Sequence, residues 1–139
     1  MSIERVAVLG GGLMGSGIAE VSAAHGFAVA LRDIDDRALD SARGRIETSL
    51  ARGVKSGKLT GEAAEETLER IRFTLDLDDL ADADLVIEAV PEQVELKVQV
   101  LSDVAAVVGG EALIASNTSS IPIAQLAATI PDPRRVLGL

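Results

Sequence analysis

In Val6-Ala7-Val8-Leu9-Gly10-Gly11-Gly12-Leu13-Met14-Gly15, a short apolar run passes straight into G-x-G-x-x-G and then into the start of a helical pattern. An apolar run without polar alternation suits a strand buried on both faces. Glycine at 10 permits a tight turn, glycine at 12 lets backbone approach a pair of phosphates, and glycine at 15 allows close packing of the following helix. The helix would then turn its unpaired N–H groups and the positive end of its dipole towards an anion.

Working outward, apolar runs alternate with longer amphipathic stretches, the pattern of a parallel sheet covered on both faces. The runs place strands at about Arg5 to Leu9, Ala28 to Arg32, Arg72 to Leu75, Leu85 to Ala89, Ala112 to Ala115 and Arg135 to Leu139. Helices are expected from about Leu13 to Ala24, from Asp35 to Arg52, from Thr60 to Arg70, from Gln93 to Val108 and from Ile121 to Ala128. Gly53 and Gly57 read as breaks after the second helix. This is an α/β, doubly wound, mainly parallel Rossmann sheet with a helical hairpin excursion after the second strand, and residues 1–139 read as one domain.

The second strand leads to Asp33, eighteen residues after Gly15, where a carboxylate hydrogen-bonds the adenosine ribose. NAD is therefore the expected cofactor, with Gly10, Gly12, Leu13, Met14, Gly15 and Asp33 as binding residues. A 2′-phosphate would face Asp33, Asp35 and Asp36, although Arg32 beside them leaves NADP open. The competing reading is a glycine turn with a solvated acidic loop. The register of strand, glycines, helix and acid favours the cofactor.

Composition narrows the rest. With no cysteine and one histidine there is no disulfide framework, thiolate nucleophile or multi-histidine metal site. A net charge of −9 argues against nucleic-acid or membrane partners, and no apolar run is long enough to span a bilayer. The first residues enter a strand-like run without the pattern of a secretory signal, so a cytoplasmic location is expected.

Gly10 to Ala19, read as Gly-Gly-Gly-Leu-Met-Gly-Ser-Gly-Ile-Ala, resembles the 3-hydroxyacyl-CoA dehydrogenase family. So do Asp84-Leu85-Val86-Ile87-Glu88-Ala89-Val90-Pro91-Glu92, Lys97, Ser116-Asn117-Thr118-Ser119-Ser120 and Val136-Leu137-Gly138-Leu139, in order along the chain. The resemblance implies reversible oxidation of a 3-hydroxyacyl-CoA by NAD, in fatty-acid β-oxidation or butanoate metabolism. It implies that Glu92 and Lys97 contact the ribose and nicotinamide side. Ser119 would lie between nicotinamide and substrate oxygen, with Asn117 on the substrate side. Read without the family, Glu92 and Lys97 are surface residues near a helix start and Ser119 is an N-cap.

The family's histidine base and its glutamate partner follow the strand that ends at Leu139. The helical domain that helps enclose acyl-CoA and forms a homodimer lies there too. This polypeptide is thus expected to be inactive by itself. His25, at the far end of the first helix, is roughly 18 Å from the phosphates and cannot replace that base. A role at the helix C-terminus suits it better.

Arg43, Arg45, Arg52, Lys55 and Lys58 make the excursion locally basic, with Glu47 as the one acid among them. Long cations on a helical hairpin suit the phosphates of coenzyme A. The resemblance puts Ser49 at a CoA contact and leaves Lys55 and Lys58 flanking the position of a second. A solvated helix face is the alternative. Glu88 reads as a buried carboxylate satisfied by backbone N–H groups rather than as an acid or base. Two further functions stand beside the leading one: a related dehydrogenase for 3-hydroxy acids, carnitine or carrier-bound acyl groups, and a stand-alone NAD-binding module.

Overall fold

The computed structural model describes residues 2–139. Its elements are β1 (Arg5–Leu9), α1 (Leu13–Ala24), β2 (Ala28–Arg32), α2 (Asp36–Lys55), α3 (Gly61–Glu69), β3 (Ile71–Thr74), β4 (Leu85–Glu88), α4 (Val94–Ala105), β5 (Leu113–Ser116), α5 (Ile123–Ala127) and β6 (Val136–Gly138). The six strands form one sheet in the order β3-β2-β1-β4-β5-β6, with every pairing parallel. This is the Rossmann order. The order in which successive strands are added switches direction between β1 and β4, the place where such sheets open a ligand crevice.

Period-two alternation sends successive strand residues to opposite layers. Val6 and Val8 of β1 join Leu31, Ile87 and the α1–α2 residues Ala19, Ala23, Ala42 and Ile46 on one side. Ala7 and Leu9 join Val86, Ile114 and the α4–α5 residues Leu101, Val104 and Leu126 on the other. The core is aliphatic on both faces. Asp35 caps α2 by accepting from the Ala38 N–H at 2.8 Å, and Thr60 caps α3 by accepting from the Ala63 N–H at 3.1 Å.

Several boundaries differ from the sequence expectation for local reasons. Helix α2 runs through Gly53 to Lys55, because the break falls at Gly57, whose φ of +79° lies in the left-handed region that ends helices. The carbonyl of Gly53 accepts from the N–H groups of Lys58 and Leu59, so this glycine marks where the chain folds back. Helix α4 is shorter than Gln93 to Val108, and α5 starts only after Pro122. Strand β3 begins one residue early, and a 3-10 turn at Leu77–Leu80 was not foreseen.

Candidate cofactor and active site

The turn between β1 and α1 is built by the glycines. Gly10 sits at φ +98°, and a Cβ there would lie 2.8 Å from the Ala89 carbonyl oxygen at the end of β4. A Cβ on Gly15 would lie 1.8 Å from the Gly10 carbonyl oxygen, so α1 seats against the turn only if residue 15 has no side chain. Around Gly12 the Cβ direction is open space. Helix α1 begins there with no side-chain cap, which leaves its first N–H groups available to an anion. These features fit a pyrophosphate.

The Gly11 peptide between them is held from three directions. Its N–H donates to Asp33 Oδ2 at 2.8 Å, and its carbonyl accepts from Ser16 Oγ at 2.8 Å and from Arg45 Nη1 at 3.1 Å. Asp33 Oδ1 also accepts from the Ile34 N–H at 2.8 Å, so the carboxylate at the end of β2 is oriented by backbone on both oxygens. An open cleft runs from Gly10–Met14 and Asp33–Ile34 across to Ala89–Pro91 and Leu96. It straddles β1 and β4.

At the ends of β4 and β5 a second set of polar side chains converges. Glu92 accepts from Thr118 Oγ1 at 2.8 Å, from the Ser119 N–H at 3.0 Å, from Ser120 Oγ at 3.1 Å and from Ser119 Oγ at 3.3 Å. These bonds, Thr118 first, hold its carboxyl down to about 2, against 4.5 when unperturbed. A carboxylate lowered on folding stabilises the fold fully above its unfolded pKa, and that contribution is lost as pH falls towards the folded value. The stability gap between wild type and Glu92→Gln is therefore expected to be constant at neutral pH and to narrow from about pH 5 downward. Thermal melts of both proteins across this range check it; a gap that stays constant down to pH 2 would contradict it.

Lys97 lies behind Glu92, only 1% exposed, with its Nζ 2.6 Å from Glu88 Oε2 and 3.3 Å from Glu92 Oε1. It is no surface residue near a helix start. Ser119 is not an N-cap either: the N-cap of α5 is Pro122, and the Ser119 hydroxyl is turned to Glu92.

With this geometry in place, residues 5–139 match the family model described as 3-hydroxyacyl-CoA dehydrogenase, NAD binding domain. The chain belongs to the 3-hydroxyacyl-CoA dehydrogenase family. It is 46% identical over 139 residues to a 3-hydroxybutyryl-CoA dehydrogenase of Mycobacterium tuberculosis, covering 99% of this chain and 49% of that protein. It is also 46% identical to the 3-hydroxyadipyl-CoA dehydrogenase of Escherichia coli K12, covering 100% of this chain and 29% of that protein. The crystal structure of M. tuberculosis FadB2 superposes with a TM-score of 0.98 at 46% identity, over all of this chain and 49% of the other. The chain thus spans about half, or less, of the proteins it matches, and the part it represents is an NAD-binding domain.

Within this dehydrogenase domain, Gly10, Gly12, Leu13, Met14 and Asp33 line one side of the crevice, with Gly15 buried beneath the turn, and Glu92, Asn117 and Ser119 lie at the strand ends of the other half. The excursion does not gather its candidates. Ser49 donates to Glu20 Oε2 at 2.9 Å and lines a cleft between α1 and α2 with Arg45 and Arg52. Lys55 lines a groove between α2 and α3 instead, and Lys58 follows in the turn. The basic residues therefore do not form a single surface: Arg43 lies 4.4 Å over the Phe73 ring, and Arg45 reaches the glycine turn. His25 caps the far end of α1, its Nδ1 2.8 Å from the Val21 carbonyl oxygen.

Two features escaped the sequence reading. Arg45 as a clamp on Gly11 carries no local signal. Glu88 is buried as foreseen, but its principal partners are side chains, Lys97 and Ser116, with one backbone N–H from Val90 at 2.8 Å. The serine and threonine density at 116–120 was the available clue.

Proposed function

We propose that this domain presents NAD to the 3-position of a 3-hydroxyacyl-CoA in a longer enzyme, with Gly10, Gly12, Leu13, Met14 and Gly15 holding the pyrophosphate and Asp33 the adenosine ribose. Glu92 and Lys97 then lie on the ribose and nicotinamide side, Ser119 between the nicotinamide and the substrate oxygen, and Asn117 on the substrate side. One observation carries the reading. The glycine turn, Asp33 and the Ser119 loop all lie at the carboxyl edge of one sheet and flank the β1/β4 switch point. NAD, when bound, supplies the hydride acceptor. The protein residues orient it and cover the strand ends. The acyl-CoA substrate class is supported by the names of the relatives, and Ser49, Lys55 and Lys58 remain candidates for its phosphates, now on separate clefts.

The same reading makes the parent enzyme a cytoplasmic homodimer without nucleic-acid or membrane partners. None of the described helices is long and apolar enough to cross a membrane.

The chain alone is expected to turn over no substrate. Oxidising the hydroxyl needs a base near neutral pKa within reach. Glu92 is held to about 2, Glu88 is ion-paired in the core, and the one histidine caps the opposite end of α1. Incubation with 3-hydroxybutyryl-CoA and NAD, read at the NADH absorbance, is expected to stay flat; steady NADH production would overturn this.

Cofactor choice is tested by titrating NADH and NADPH and following nucleotide fluorescence, because the protein has no tryptophan or tyrosine to interfere. NADH is expected to saturate and NADPH to bind at least roughly tenfold more weakly, since its 2′-phosphate meets the Asp33 carboxylate. Asp33→Ala is expected to weaken NADH and erase that preference. Equal binding of both nucleotides by the wild type would sink the assignment to Asp33.

A further inference from the structure

At the end of β4 a single carboxylate joins two strands and a helix. Glu88 is fully buried; its Oε2 accepts from Lys97 Nζ at 2.6 Å and from the Val90 N–H at 2.8 Å, and its Oε1 accepts from Ser116 Oγ at 2.5 Å. The Lys97 ammonium donates to Glu88 Oε2 and to the Val90 carbonyl at 3.2 Å, and it is ion-paired with Glu92 Oε1 at 3.3 Å. Through that ion pair Lys97 acts on Glu92, and Glu92 holds Thr118, Ser119 and Ser120. The path closes on itself. It leaves β5 at Ser116, returns to the same segment at Thr118, and encloses Asn117, whose N–H donates to the Glu88 carbonyl at 2.9 Å.

We propose that Glu88 is a positioning residue of this dehydrogenase: through Lys97 and Ser116 it fixes Glu92 and the 117–120 loop in the arrangement that receives the nicotinamide and the substrate oxygen. An ionised carboxylate suits the position because it accepts all three bonds and balances the lysine charge where water is excluded. Glutamine has the same shape but no charge: with its oxygen towards Lys97 its amide must donate to Ser116, reversing that bond, and the buried lysine charge is left unbalanced. The part of this inference that concerns nicotinamide rests on the cofactor reading above. The relay itself does not, since every bond in it lies within the protein.

The test compares the 15N-labelled chain with its Glu88→Gln variant, first without nucleotide. In the wild type the Lys97 ammonium is expected to give a protected NMR signal. In the variant that signal is expected to vanish and the Ser119 amide, which does not touch residue 88, to shift, while Gly26 and Gly57 stay in place. An unmoved Ser119 amide overturns the relay. NADH is then added to both samples, and the variant is expected to bind roughly tenfold more weakly, the size of effect that outer partners have on the groups they orient. Equal affinity overturns the positioning role. If the wild type binds no NADH, the cofactor reading of this chain fails, and the nucleotide-free spectra still judge the relay. If Glu88→Gln does not fold, Ser116→Ala takes its place, because it removes one bond to Glu88 and no charge. Faster exchange at Lys97 Nζ is then expected, and an unchanged signal contradicts the proposal.

Discussion

Gly15→Ala is expected to cost about 3 kcal/mol of stability and to abolish NADH binding, because the added methyl cannot coexist with the turn. Its Cβ would lie 1.8 Å from the Gly10 carbonyl oxygen and 2.9 Å from the Gly10 carbonyl carbon. Both neighbours are backbone, so no side chain can swing aside. Helix α1 has to move off the turn, and its N–H groups move with it. Two other glycines in the same region separate folding from binding. Around Gly12 there is nothing within 4 Å of a Cβ, so Gly12→Ala is expected to fold to within about 1 kcal/mol of wild type while losing NADH, whose phosphates need that space. Gly17 lies inside α1 with open surroundings, and Gly17→Ala is expected to stabilise by up to about 1 kcal/mol. Urea unfolding and NADH titration of the three variants check all of this. A Gly15→Ala protein as stable as wild type would mean that the turn is not packed as described.

Lys97→Met is expected to destabilise the domain by about 3–5 kcal/mol, since it leaves Glu88 buried without a counter-charge. That is a large share of the roughly 5–15 kcal/mol of a typical domain. The pair is 2.6 Å apart, and its side chains are 1% and 0% exposed, so solvent does little to screen it. The contrast that identifies the cause is the double variant Glu88→Gln, Lys97→Met, which carries no charge at either position and is expected to recover part of the loss. Denaturant midpoints of the two variants measure this. Lys97→Met as stable as wild type, or a double variant less stable than Lys97→Met, would contradict this.

The glycine turn and Asp33 were legible because their logic is local: a strand, a turn and a helix start lie within ten residues, and the acid ends the next strand. The order of the strands was legible as a class for the same reason. Lys97 was also within reach. It opens the stripe Lys97, Val100, Leu101 and Val104, all buried, at the spacing of one helix face, so its burial follows from its neighbours. Its partner was harder to see, because Glu88 meets it only when α4 crosses the end of β4. Arg45 was out of reach: its bond to Gly11 spans 34 residues and depends on how Leu39, Ala42, Ile46 and Leu50 seat α2. The basic excursion failed for an elementary reason. Ser49 and Lys55 are six residues apart, which at 3.6 residues per turn places them on different faces of one helix.

The most direct test of the site is to add NADH to the 15N-labelled chain and record which amides move. Shifts are expected at Gly11 to Gly15, at Asp33 and Ile34, and at Asn117 to Ser119, on both sides of the β1/β4 switch point. Shifts confined to α2 and α3, with the glycine turn unmoved, would contradict it.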